Sequence, residues 1–196
     1  METRTVTLDV NGRTHDAAIA PNTTLLEALR ALGYTDVKNG CEKGDCGACA
    51  VLLNGRAVNS CLVLAWQAEG QEIVTNRGLG TIEHPHPIQE AFADTGAVQC
   101  GFCTSGMIIA TKAMLNRNPD PTEDEIREGL SGNLCRCTGY GQIVEAVRLA
   151  AERLRRSSSS LSSLRGEGTP RKDGHEHAPV ERVRVSDDEF GAGDNS

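Results

Sequence analysis

Eight cysteines fall into two groups of four, and this division constrains the fold more than any other feature of the 196-residue chain. Cys41, Cys46 and Cys49 are spaced C-x4-C-x2-C, and Cys61 follows after eleven residues. Cys100 and Cys103 form C-x2-C, and Cys135 and Cys137 form C-x-C. The start, METRTVTLDV, has neither the basic region nor the apolar run of a secretory signal. A cytoplasmic, reducing location is therefore expected. There, eight cysteines point to metal sites rather than to four disulfides.

The first three cysteines have the plant-type [2Fe–2S] ferredoxin spacing. Three thiolates must converge on one small inorganic core, so the chain has to wrap round it. Gly40, Gly44 and Gly47 permit tight curvature and positive φ, and leave backbone N–H groups free to approach sulfur. Zinc is the rival, but structural zinc favours two C-x2-C-like pairs over one triple with a distant fourth. Lys43 and Asp45 lie in the loop and are assigned no ligand role. Taken alone, the second group is ambiguous between zinc and a cluster. Each of its pairs stands at or near the start of an expected helix, whose dipole favours thiolate. Arg136 either offsets thiolate charge or lies in solvent.

Three regions can be told apart. Residues 1–78 read as a small mixed α/β unit. Thr5–Val10 alternates as a half-buried strand does, Asn11-Gly12 marks a hairpin, and Arg13–Ala20 returns. Thr24 and Glu27 have capping-box spacing, Leu25, Ala28, Leu29 and Leu32 share a helix face, and Gly33 stops the helix. Asn54-Gly55 separates two further short strands, and Glu72–Thr75 makes one more. Residues 79–156 read as helical after Pro85 and Pro87, with helices expected over 88–94, 104–116, 122–130 and 143–156. From Ser157 the chain turns rich in Ser, Gly and charge. Residues 157–196 are expected to be a disordered tail. His175 and His177 in it read as solvated rather than metal-binding, and Val180–Val185 as at most a minor strand-edge signal.

Composition excludes several functions. Aromatics make up 3% of the chain, too few for a large aromatic core, and a thin core gains from a metal centre. A net charge of −7 argues against nucleic acid. No apolar run is long enough to span a membrane. Gly78-Leu79-Gly80 is too short for a dinucleotide fingerprint, and no nucleophile–base pair stands beside the cysteines.

Cys-Glu-Lys-Gly-Asp-Cys-Gly-Ala-Cys (41–49), Gln-Cys-Gly-Phe-Cys-Thr (99–104) and Leu-Ser-Gly-Asn-Leu-Cys-Arg-Cys-Thr-Gly-Tyr (130–140) resemble the iron–sulfur subunit of the xanthine oxidase family of molybdenum hydroxylases. The resemblance covers about residues 4–155. It implies an α+β chain: a plant-ferredoxin-like β-grasp domain, then a four-helix-bundle domain, each with one [2Fe–2S] cluster. It places an outer cluster on Cys41, Cys46, Cys49 and Cys61, nearer a flavin. It places an inner cluster on Cys100, Cys103, Cys135 and Cys137, nearer molybdenum. Gln99 matches a family glutamine that hydrogen-bonds the molybdopterin. The implied partners are a molybdenum-cofactor large subunit and an FAD-binding medium subunit. The chain would then be the electron-transfer subunit of an oxidoreductase, with no substrate chemistry of its own. The alternatives are a free-standing two-cluster ferredoxin and a zinc-binding interaction module. The family commonly has Pro after Cys-Thr, where this chain has Ser105; serine also starts helices. The tail lies outside the family core, so removal of residues 160–196 is expected to leave iron per chain, measured on the purified protein, unchanged.

Overall fold

Alternation decides the first strand. β1 (Arg4–Val10) turns Val6, Leu8 and Val10 to one face, and all three are fully buried. It pairs antiparallel with β2 (Arg13–Ile19), Val10 opposite Arg13. The intervening Asn11-Gly12 has positive φ at both residues, 54° and 73°, as a tight hairpin turn with the strands' own twist requires. The computed structural model describes residues 3–163, and side chains as far as Ser157.

Helix α1 (Leu25–Ala31) starts at the expected capping box, the Thr24 hydroxyl accepting from Glu27 N–H and Glu27 from Thr24 N–H. β3 (Ala50–Leu53) and β4 (Arg56–Asn59) flank Asn54-Gly55, again with positive φ at both residues. β5 (Glu72–Val74) runs parallel to β1 and antiparallel to β3. The sheet order is therefore β2-β1-β5-β3-β4. Leu25, Leu26 and Leu29 of α1 pack on Val6, Leu8, Val51 and Ile73 of the sheet to form one core.

Asn11 also fastens the first hairpin to the segment after β5. Its side chain accepts from Thr75 N–H at 2.8 Å and donates to the Thr75 hydroxyl at 3.1 Å. Thr75, fully buried, precedes a short helix that the sequence pattern did not reveal, α2 (Asn76–Leu79). The boundary expected at residue 78 falls inside α2, and the described residues belong to one compact unit.

Four longer helices complete the described chain: α3 (Pro87–Asp94), α4 (Thr104–Arg117), α5 (Glu123–Gly129) and α6 (Gly141–Ser163). Pro87 stands at the first position of α3, where its missing N–H costs nothing. His86 caps that helix, Nδ1 accepting from Ile88 N–H at 3.2 Å. Ser105 lies in the first turn of α4 and does not impede it. Thr122 and Glu125 form the second capping box. α6 corrects the expected end at Arg156, its backbone running on to Ser163. No Gly or Pro stands between those residues, and propagating an existing helix is far cheaper than starting one. The rest of the expected tail, with His175, His177 and Val180–Val185, lies outside the described residues.

Ile88, Phe92, Met107, Ile126, Ile143 and Val147 form the helical core. A third cluster joins the two halves: Ala50 and Leu52 of β3 pack on Ile109 and Ala113 of α4. The chain is thus mixed α+β, with α4 as the element shared by both halves. Phe92 is buried where α3 meets α6, so Phe92→Ala is expected to destabilise the fold by about 3–5 kcal/mol, measured by denaturant unfolding.

Candidate metal centres

The loop between α1 and β3 carries three of the first four cysteines. Its glycines divide the work. Gly44 and Gly47 have φ of 82° and 68°. Gly40 is not at positive φ and instead gives room, since a Cβ there would lie 2.9 Å from Cys46 Sγ. Asn59 Nδ2 donates to the Gly44 carbonyl at 2.9 Å and pins the loop. Cys49 leads directly into β3, and Cys61 sits in the 3-10 turn Ser60–Leu62 that succeeds β4. The β3–β4 register returns the chain to its start, with the Ser60 hydroxyl donating to the Cys49 carbonyl at 2.7 Å.

Within this group the thiols contact one another in pairs, Cys41 with Cys46 and Cys49 with Cys61. Hydrogen bonds from the Lys43 and Cys46 N–H groups lower the Cys41 thiol to about 7. The Lys43 N–H lies 3.4 Å from its sulfur. Burial, then the Cys49 thiol, pushes Cys61 up to about 11. Burial also raises Cys46.

The second group pairs in the same way, Cys100 with Cys137 and Cys103 with Cys135. Cys103 caps α4. The helix end does not lower this thiol as expected: burial and then Cys135 push it up to about 12. Cys135 and Cys137 lie on a loop ahead of α6 rather than in it. Burial acts upward on Cys135, but hydrogen bonds from Thr138 and from the Cys137 N–H outweigh it and bring the thiol to about 7. The Thr138 hydroxyl is 3.2 Å from Cys135 Sγ. The Phe102 N–H, then the Cys137 thiol, lowers Cys100. Tyr140 holds the loop closed, its hydroxyl accepting from Cys135 N–H at 2.8 Å. Its φ of 69° is uncommon for a bulky residue.

The donor chemistry fits a binuclear core. Two contacting pairs per group are what two irons with two thiolates each would need. Among the described residues, no group of three or more His, Cys, Asp or Glu is arranged to hold one metal ion. A tetrahedral zinc site would need four donors round one ion.

The two groups meet. Leu134 N–H donates to the Cys46 carbonyl at 3.0 Å, and buried Asn133 donates through Nδ2 to the Gly47 carbonyl at 3.1 Å. Only glycines admit this approach. A Cβ on Gly47 would collide with the Asn133 amide, and one on Gly106 of α4 with the Gly47 carbonyl. Gln99 is exposed beside Cys100. Cys49 and Cys61 are buried, whereas Cys100 and Cys137 are exposed. Val98, Phe102 and Leu134 add exposed apolar surface on the segments that carry the second group. Asn133, Thr138 and Tyr140 were in view in the sequence without roles. Their only signal was adjacency to Cys-Arg-Cys.

Residues 8–78 match the 2Fe-2S iron-sulfur cluster binding domain, and residues 75–148 the [2Fe-2S] binding domain. The nicotinate dehydrogenase small FeS subunit of Eubacterium barkeri is 49% identical over 150 residues, 76% of this chain and 96% of that protein. The xanthine dehydrogenase iron-sulfur-binding subunit of Escherichia coli is 51% identical over 151 residues, 74% of this chain and 93% of that protein. In the crystal structure of quinoline 2-oxidoreductase from Pseudomonas putida 86, one chain superposes with a TM-score of 0.76 at 43% identity, covering 80% of this chain and 98% of that one. Cysteine spacing, paired thiols and these similarities converge: the chain belongs to the iron–sulfur subunits of the molybdenum hydroxylase, or xanthine oxidase, family of oxidoreductases.

Proposed function

We propose that this chain carries electrons from a molybdopterin centre on a large partner subunit to a flavin on a medium partner subunit, through two [2Fe–2S] clusters. The pairing of eight thiols into two sets of four carries this reading. The sheet half acts as a plant-ferredoxin-like β-grasp domain, with Cys41, Cys46, Cys49 and Cys61 holding the outer cluster. The helices act as a four-helix bundle, with Cys100, Cys103, Cys135 and Cys137 holding the inner one. A [2Fe–2S] cluster supplies reversible one-electron chemistry, tuned by hydrogen bonds to sulfur, burial and nearby charge.

The chain's own residues do the tuning and the docking. Exposed Cys100 and Cys137, together with Val98, Phe102 and Leu134, suit a face that the molybdenum subunit covers. Gln99, exposed beside Cys100, would hydrogen-bond the pterin. No helix of the described residues is long and apolar enough to cross a membrane.

Two outcomes test this reading. Cys100→Ser is expected to halve iron per chain and remove one of two electron paramagnetic resonance signals, leaving the outer one. A colourless wild-type protein, or loss of both signals from a folded variant, would refute the assignment. Thr138→Val removes a donor that stabilises the more negative, reduced state at Cys135. It is expected to lower the inner cluster's potential by tens of millivolts while leaving the outer one fixed, as read by redox titration.

A further inference from the structure

Cys46 and Cys135 belong to different cysteine groups, yet one hydrogen bond links their main chains, from Leu134 N–H to the Cys46 carbonyl. The bonded route runs from Cys46 Sγ through its own Cβ, Cα and carbonyl, across that bond to Leu134, and over one peptide to Cys135 Sγ. Asn133, directly before Leu134, donates to the next carbonyl, that of Gly47. Successive donors thus grip successive carbonyls. The Leu134 side chain adds little to the grip, being 54% exposed. Asn133 is 7% exposed, and its amide faces Gly47, which has no side chain of its own and a φ of 68°.

We propose that Asn133 is a positioning residue for electron transfer between the two cysteine groups, its amide holding the Cys46–Leu134 bridge together. The inference rests on the two-cluster reading above. One electron passes from the second group's site, which is oxidised, to the first group's site, which is reduced. No covalent bond is made or broken, and no proton has to move. Removing the amide takes away one of two donors on the Gly47 carbonyl, the other being Ala50 N–H at 3.1 Å, so the bridge loosens and the coupling between the sites weakens while each set of four thiols stays intact.

The test uses the full chain loaded with iron and sulfide, as wild type, Asn133→Ala and Asn133→Ser. The wild type alone examines the underlying reading: a chain with fewer than two cluster signals defeats that reading whatever the variants do. Given two signals, both variants are expected to keep wild-type iron per chain and the separate spectrum of each cluster. The magnetic splitting between the two reduced centres should diminish, and equilibration after rapid one-electron reduction should slow several-fold. Unchanged splitting and rate in both variants would overturn the proposal. Loss of iron from both would overturn it too, because Asn133 would then hold the sites themselves rather than their connection.

Discussion

The hydrogen-bonded junction between the two cysteine loops is the constraint round which the rest is arranged. Leu134 and Asn133 grip the carbonyls of Cys46 and Gly47, and this is possible only because Gly47 and Gly106 have no Cβ. Asn133 and Gly47 are buried there, so the Asn133 amide has to be satisfied by the Gly47 carbonyl rather than by water. An unpaired buried amide costs about 1–3 kcal/mol. Sheet and helices each build a core, and the Ala50–Ile109 cluster beside the junction makes the halves one unit. α4 serves both ends of this arrangement, with Cys103 at its start, Gly106 in its first turn, and Ile109 and Ala113 against β3.

The environments of the two groups differ in ways that matter for electron transfer. The first group sinks Cys49 and Cys61 behind the β3–β4 hairpin, where burial raises Cys61. The second leaves Cys100 and Cys137 at the surface and tunes Cys135 by a neighbouring hydroxyl. Cys41 and Cys46 of the first group, and Cys103 and Cys135 of the second, lie between these extremes. Cys103 departs from the more open character of its group, and the helix end fails to lower it. Its desolvation and a second thiol beside it outweigh a partial positive charge.

Local chemistry made most of the fold legible. Both Asn-Gly hairpins, both Thr–Glu capping boxes, the buried stripe Val6, Leu8 and Val10, and five of the six helices arise from rules that act within a few residues. What escaped was set by contacts distant in sequence. α2 forms where Asn11 reaches across to Thr75. His86 acts as a cap because Pro87 and Gln89 place it so, a less usual choice than Ser or Thr. The continuation of α6 past Arg156 reflects propagation from a well-packed helix, which outweighs the modest propensity of serine.

For the cysteines themselves, the sequence determined the number, the spacing and the division into two groups. Spacing alone was enough to favour a cluster for the first group but left the second open to zinc. Tertiary structure decided which thiol contacts which, because Cys41 and Cys46 are near in sequence whereas Cys100 and Cys137 are brought together only when the α4 and α6 ends meet. It also decided that the two loops share a boundary of main-chain hydrogen bonds. Ligand type and loop reach are properties of a short segment and can be read along the chain. The approach of two backbones depends on every side chain that does not stand between them, and that is fixed only once both cores have packed.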